Sequence, residues 1–174
     1  MSESKPSFDV ELVRPPVRAA QVACRGRDFD PVRRRRIRQA LLTLHTLETM
    51  AATIYKFQIT RAPTEHNRQL IAAMLNEMTH HQDFQVKLYE FGWRPSPLRW
   101  AYWLVGFGFG FGSRLLGRRA VLKIGIWVES KAVTHYAELL ERVDWDEATR
   151  QVVAKDQADE DGHIQRWRRL LAEG

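Results

Sequence analysis

The sequence predicts an all-α fold, a bundle of four long helices, and three observations carry that reading. Apolar residues recur at helical spacing in four runs, each of about 25 residues. N-cap residues, prolines and glycines punctuate the chain between the runs. No strand-like alternation competes with them.

The first helix starts at Asp30-Pro31, an N-cap residue followed by proline at the first helical position, and continues through Ile37, Leu41, Leu44, Leu47, Ala51, Ile54 and Ile59. Pro63-Thr64 opens the second, which runs through Leu70, Ile71, Met74, Leu75, Met78, Phe84 and Leu88 until Gly92 and Pro95 close it. The third extends from about Arg118 to Arg142 through Val121, Ile124, Val128, Ala132 and Leu139, and the fourth from Asp146 to about Ala172. Helices of this length reach roughly 38 Å, enough for a bundle with a buried midsection.

A chain of 174 residues is the size of one domain with one core. Residues 1–29 carry Pro6, Pro15 and Pro16 among scattered charges and read as a flexible arm, with the folded domain at 30–174. No apolar run marks a secretory signal there, and Cys24, the sole cysteine, points to a reducing compartment; the expected location is cytoplasmic. The net charge of +6 gathers at Arg33 to Arg36 and at Arg114, Arg118, Arg119 and Lys123, without any nucleic-acid-binding motif, so no nucleic-acid partner is expected. Arginines in the first turn of a helix oppose its dipole, so the run after Pro31 calls for a neighbouring acid or an anionic surface.

Between the second and third runs lies an apolar segment, about residues 98–116, with glycine at every second position from Gly106 to Gly112. It is too short to span a bilayer, which needs about 20 apolar residues. Its rings, Trp100, Trp103, Phe107, Phe109 and Phe111 with Leu104 among them, stand between Arg99 and Arg114. That pattern suits a crossover lying in the interface of an anionic membrane, on its inner face.

The second helix carries Glu77-Met-Thr-His80 and the fourth carries Glu160-Asp-Gly-His163, a spacing that places both side chains of each set on one helix face. Glu48 and Glu129 lie on the apolar sides of the first and third helices, each followed seven residues later by a tyrosine, Tyr55 and Tyr136. The halves repeat, with 29 residues from Glu48 to Glu77 and 31 from Glu129 to Glu160. One Glu from each of two helices and Glu-x-x-His from each of the other two is the ligand set of ferritin-like di-iron and di-manganese bundles. Four carboxylates facing one core repel one another and are costly to desolvate, and two divalent cations neutralise them. Glu77 and Glu160 are expected to bridge the metals, Glu48 and Glu129 to be terminal, and each histidine to bind one metal. Oxygen ligands with only two imidazoles suit two iron ions, or manganese, better than zinc. Tyr55, Tyr136 and Asp156 are candidates to orient the ligands, and His45, His81 and His135 are read as polar helix residues.

From about Leu41 to Leu171 the chain resembles the demethoxyubiquinone hydroxylase family of ubiquinone biosynthesis. The likeness rests on the ligands, on His45 three residues before Glu48, on Trp103-Leu-Val-Gly-Phe-Gly-Phe-Gly with Leu115-Leu-Gly117, and on Val128-Glu129 followed by His135-Tyr136. The resemblance implies a diferrous centre that activates O2 to hydroxylate a quinol ring, a membrane-associated apolar segment that admits the quinol, and a role for His135 and Tyr136 in passing electrons or protons. A homodimer, or a partner in a ubiquinone-biosynthesis complex, is the assembly it implies. Leu44-His45-Thr46-Leu47-Glu48 departs from the family's Asp-His-Ala-Gly-Glu, and a further apolar helix follows the last ligand helix in that family, so docking or substrate choice is expected to differ. A ferritin- or rubrerythrin-like soluble oxidase or peroxidase would use the same ligands but leaves the apolar segment unexplained, and a non-enzymatic lipid- or quinone-binding assembly factor leaves the ligands unexplained.

Overall fold

A computed structural model describes residues 16–173. Among them are five α-helices and no strand: α1 (Pro31–Gln58), α2 (Glu65–Glu90), α3 (Arg99–Leu115), α4 (Arg118–Arg142) and α5 (Glu147–Ala172), preceded by a short 3-10 turn at Ala19–Gln21. The helix starts read at Asp30, Thr64 and Asp146 are capped by those side chains. The carboxylate of Asp30 accepts from the amides of Val32 and Arg33, Thr64 accepts from Asn67, and Asp146 accepts from Thr149.

The first two arginines of the run at the start of α1 find partners within the protein. Arg33 pairs with Asp144 at 3.0 Å, donates to the carbonyl of Trp145, and lies over the ring of Phe29. Arg34 donates to the carbonyls of Gly26 and Phe91. Residues 1–15 of the expected arm lie outside the described residues. Further along it, Arg25 donates to Glu90 at 2.6 Å, to Asp146 at 2.7 Å and to Thr149 at 2.9 Å, tying this segment to the ends of α2 and α5.

The bundle packs α1 against α2 and α3, and α4 against α5, with α3 also touching α4 and α2 touching α5. Its apolar core has two larger parts and a smaller one of Ala51, Ile54 and Val128. Ile37, Leu41, Leu44, Phe84, Leu88 and Val153 fill one larger part, and Tyr55, Leu70, Leu122, Trp167 and Leu170 fill the other. Each long helix carries its candidate ligands between these layers: Glu48 follows Leu44, His80 precedes Phe84, Glu129 follows Leu122, and Glu160 follows Val153.

The segment between α2 and α4, expected as a crossover, is itself a helix, and its alternate glycines explain how. Gly106 and Gly110 are buried against α1, where an added Cβ would stand 2.6 Å from the carbonyl oxygen of Met50 and 2.5 Å from that of Ile54. Small residues four apart let two helix backbones approach this closely. Gly108 and Gly112 face open space. Gly117, at φ +89°, then turns the chain into α4 in a conformation that a side chain would strain. No helix among the described residues is long and apolar enough to cross a membrane.

Gly110→Ala is therefore expected to destabilise by about 1–3 kcal/mol, because α3 must lift off α1. Gly108→Ala adds helix propensity without a clash and is expected to stabilise by about 0.5–1 kcal/mol. Thermal unfolding of the two variants checks the contrast, and equal shifts would contradict the close packing of α3 on α1.

Candidate metal centre

Glu48, Glu77, His80, Glu129, Glu160 and His163 are all between 0 and 2% exposed. Helical spacing brings Glu77 and His80 to one face of α2, and Glu160 and His163 to one face of α5. The four helices bring them together in two groups whose donor atoms lie within 4.8 Å of one another: Glu48, Glu77, His80 and Glu160, and Glu77, Glu129, Glu160 and His163. Glu77 and Glu160 belong to both groups.

Both histidines turn Nδ1 toward the carboxylates. Nδ1 of His80 lies 3.0 Å from Glu160 and 3.7 Å from Glu48, and Nδ1 of His163 lies 3.2 Å from Glu77, 3.3 Å from Glu160 and 3.4 Å from Glu129. Their Nε2 atoms face the opposite way, where Asn76 lies 3.1 Å from His80 and 3.4 Å from His163. Asp159 and Asp156 approach Nε2 of His80 at 3.3 Å and 3.7 Å.

The two tyrosines serve each other's half. Tyr136 of α4 donates to Glu48 of α1 at 2.5 Å, and Tyr55 of α1 donates to Glu129 of α4. Trp167 in turn donates to the Tyr55 hydroxyl at 3.1 Å. Glu48 and Glu129 are thus each steadied by one phenol across the bundle, so Tyr136, like Tyr55, holds a carboxylate. His135 does not share this position; half-buried, it lines a cavity beside the cluster, with Nε2 unpartnered. His45 is fully buried and packs its ring 4.1 Å from that of His81, and burial together with the neighbouring His81 lowers it to about 3.

Burial and crowding set the protonation. Burial, then the charges of Glu160, Glu129 and Glu48, push Glu77 well above the carboxylate range, and burial with Glu160 raises Glu129 to about 8. Burial would raise Glu160 too, but the imidazoles of His163 and His80 beside it hold it below its ordinary value. Burial works against charge on His80 and His163, yet the close carboxylates of Glu160 and Glu48 raise His80 to about 11, and those of Glu129 and Glu160 raise His163 to about 9.

The residues fit a pair of cations. Glu48 Oε2, Glu77 Oε1, Glu129 Oε2, Glu160 Oε2 and His163 Nδ1 are buried without a hydrogen-bond partner, so donor atoms for both groups are free to bind metal. The set is oxygen-rich, with one imidazole per group and no thiolate.

A cavity of about 340 Å³ reaches this cluster from between α1 and α4. Leu47, Met50, Ala51, Trp127, Val128 and Ala132 form its apolar walls, and Glu48 and Glu77 stand at its inner end. The six residues expected at a membrane or quinone entrance lie on α3 beside it and are exposed: Trp100 by 61%, Leu104 by 48%, and Trp103, Phe107, Phe109 and Phe111 by 36 to 43%. Phe109 stacks on Trp127 at 5.7 Å, which joins the aromatic face of α3 to the cavity wall. Asn76, Asp159 and Trp167 were not singled out from sequence. The available signal was position, since Asn76 and Asp159 each immediately precede a glutamate of the pattern.

Fold and site together define a helical-bundle protein centred on a buried cluster of carboxylates and imidazoles. Residues 35–170 match the family described as Ubiquinone biosynthesis protein COQ7, and the chain belongs to that family, as the resemblance in its sequence implied. It is 29% identical over 115 residues to a protein of Dictyostelium discoideum named NADPH-dependent 3-demethoxyubiquinone 3-hydroxylase, mitochondrial, covering 66% of this chain and 53% of that one. It is 32% identical over 123 residues to the 3-demethoxyubiquinol 3-hydroxylase of Polaromonas sp. (strain JS666 / ATCC BAA-500), covering 70% of this chain and 59% of that one. The matched part of the chain thus spans between half and three fifths of each relative.

Divalent metal affinity is expected to fall as pH drops from 8 to 6. Glu129, His163 and His80, raised to about 8, 9 and 11, are protonated in this range without metal, so binding must displace their protons. Each proton displaced makes the apparent affinity rise about tenfold per pH unit. Calorimetric titration with Mn2+ at several pH values measures the slope, and a flat profile would rule out binding through these groups.

Proposed function

We propose that this chain is a di-iron monooxygenase that hydroxylates the ring of a demethoxyubiquinol-type quinol with O2. The observation that carries the reading is the apolar cavity that ends on Glu48 and Glu77, because it brings a hydrophobic ring to the only place where six ligating side chains converge among the described residues. In this reading α1, α2, α4 and α5 are the four helices of a ferritin-like bundle and α3 is its crossover. Glu48, Glu77, His80 and Glu160 would hold one iron, and Glu77, Glu129, Glu160 and His163 the other. Manganese fits the same donors. When bound, a diferrous pair supplies the one-electron chemistry that lets ground-state O2 react with a closed-shell ring.

The chain's own residues do the rest. The walls of Leu47, Met50, Val128 and Ala132 exclude water and orient the ring by shape. The phenols of Tyr136 and Tyr55 hold Glu48 and Glu129 in place. Nε2 of His135, buried and unpartnered at the cavity, can take or give a proton to a ring hydroxyl. The reaction consumes one O2, two electrons and two protons, and yields the hydroxylated ring and one water. A reduced nicotinamide, named for the Dictyostelium relative, is the donor to try first.

The exposed aromatic face of α3, with Leu115 and Leu116 exposed by 71 and 80%, supports docking on the inner face of an anionic membrane, from which a long-tailed quinol can enter. A soluble oxidase or peroxidase would need neither this face nor the apolar cavity.

The purified chain is expected to hold about two irons and to hydroxylate a short-tailed demethoxyubiquinol. Ala132→Phe, which fills the cavity, is expected to lower kcat/KM at least about tenfold while iron content stays the same. Iron without turnover of any quinol would leave the soluble oxidase in its place, and a chain that takes up no iron would end both readings.

A further inference from the structure

The two Glu-x-x-His sets repeat, yet what stands behind their histidines differs. Asp159 and Asp156, one and four residues before Glu160, approach Nε2 of His80 at 3.3 Å and 3.7 Å. The corresponding positions before Glu77 are Asn76 and Ala73. Asn76 accordingly sits behind His163, at 3.4 Å from its Nε2, while also reaching His80 at 3.1 Å. The ion pairs of His163 run through Nδ1, and among the described residues no carboxylate pairs with its Nε2.

Resting on the two-metal reading above, we propose that the two metal positions are unequal by construction. The position served by His80 is filled first and held tightly, and the position served by His163 is filled second and emptied first. A metal on Nδ1 requires that Nε2 carry the hydrogen, which then needs an acceptor. Carboxylates behind His80 accept that hydrogen, raise the basicity of the ring and fix its orientation. Lys155 pairs with Asp156 at 2.9 Å and with Asp159 at 3.7 Å, which offsets one of these two charges and leaves the pair net negative. Behind His163 the acceptor is the uncharged oxygen of an amide, which must first turn, since Nδ2 now faces the ring.

Elsewhere the halves largely match, apart from the indole of Trp167 on Tyr55 and the cavity that reaches Glu48. Glu77 and Glu160 serve both groups, and Glu48 and Glu129 each accept one tyrosine hydroxyl. Losing a carboxylate behind a ligating histidine typically costs 10- to 100-fold in metal affinity, so the two positions should differ by about that factor. Asn76 is then a positioning residue that sets the metal concentration at which the pair is complete.

Anaerobic titration of the full chain with Co2+, followed by visible absorption and equilibrium dialysis, tests the proposal. Two equivalents are expected to bind, the first at least about tenfold tighter than the second. Asn76→Asp should strengthen the second step more than the first, whose histidine already has two carboxylates behind it, and so narrow the gap; Asp159→Asn should weaken the first, and His163→Ala should abolish the weak step while keeping the tight one. Far-UV circular dichroism shows which variants fold, and any one folded variant of Asn76 or Asp159 suffices to decide. With Zn2+ bound, the imidazole 15N signal of His163 should shift in Asn76→Asp, a readout that a change in fold stability alone does not produce. Equal steps in the wild type, or a gap that neither substitution moves, would overturn the proposal; no Co2+ bound at all would instead bring down the two-metal reading on which it rests.

Discussion

Four carboxylates share the middle of this bundle, and their mutual repulsion governs what surrounds them. Glu48, Glu77, Glu129 and Glu160 are each at most 2% exposed, so neither water nor distance screens them from one another. The fold answers with two imidazoles, two phenols and an indole placed around the cluster. Even so, oxygen atoms remain without partners. An apolar core of the same volume would be easier to build and would leave no donors unsatisfied. The arrangement makes physical sense as a site that cations complete.

Stability is consequently drawn from the layers on either side. Leu41, Leu44, Phe84 and Val153 close one side, and Leu70, Leu122 and Trp167 the other. The helices are long enough to carry an apolar stretch at both ends of a polar middle, so the cluster does not have to support itself. Trp167 belongs to both systems, packing within the second layer while its indole donates to Tyr55. Carboxylate, phenol and indole thus form one chain of hydrogen bonds from the centre into the core.

The outer surface has its own logic on the side of α3. Two glycines bring that helix against α1, and its rings are left facing outward, Trp103, Phe107 and Phe111 stacked in a row. Phe107 also meets Phe57 of α1 edge-on at 4.8 Å. Trp127 of α4 extends the same aromatic surface to the wall of the cavity. Apolar exposure on this scale is uncommon on a protein surface without a partner, and here it adjoins the opening toward Glu48 and Glu77.

Much of this was legible in the sequence because it depends on local geometry. The i, i+3 spacing of Glu77 with His80 and of Glu160 with His163 places each pair on one face of any helix that contains them. Asp30-Pro31, Thr64 and Asp146 announce helix starts through hydrogen bonds that reach only two or three residues along the chain. The alternate glycines were visible too, but their purpose was not, since only the approach of Met50 and Ile54 from α1 separates Gly106 and Gly110 from Gly108 and Gly112. The crossing of the tyrosines, each to the glutamate of the other half, depends on how α1 and α4 face each other, which no spacing within one helix encodes. The same holds for Asn76 behind His163 and for the cavity between α1 and α4. The sequence by itself determined the helices, the candidate ligands and the face each occupies, the last because it follows from the 3.6-residue turn. Tertiary structure alone decided which ligands meet, which donors back them and where the cluster opens, because these depend on contacts between residues as many as 112 positions apart, as in the bond from Trp167 to Tyr55.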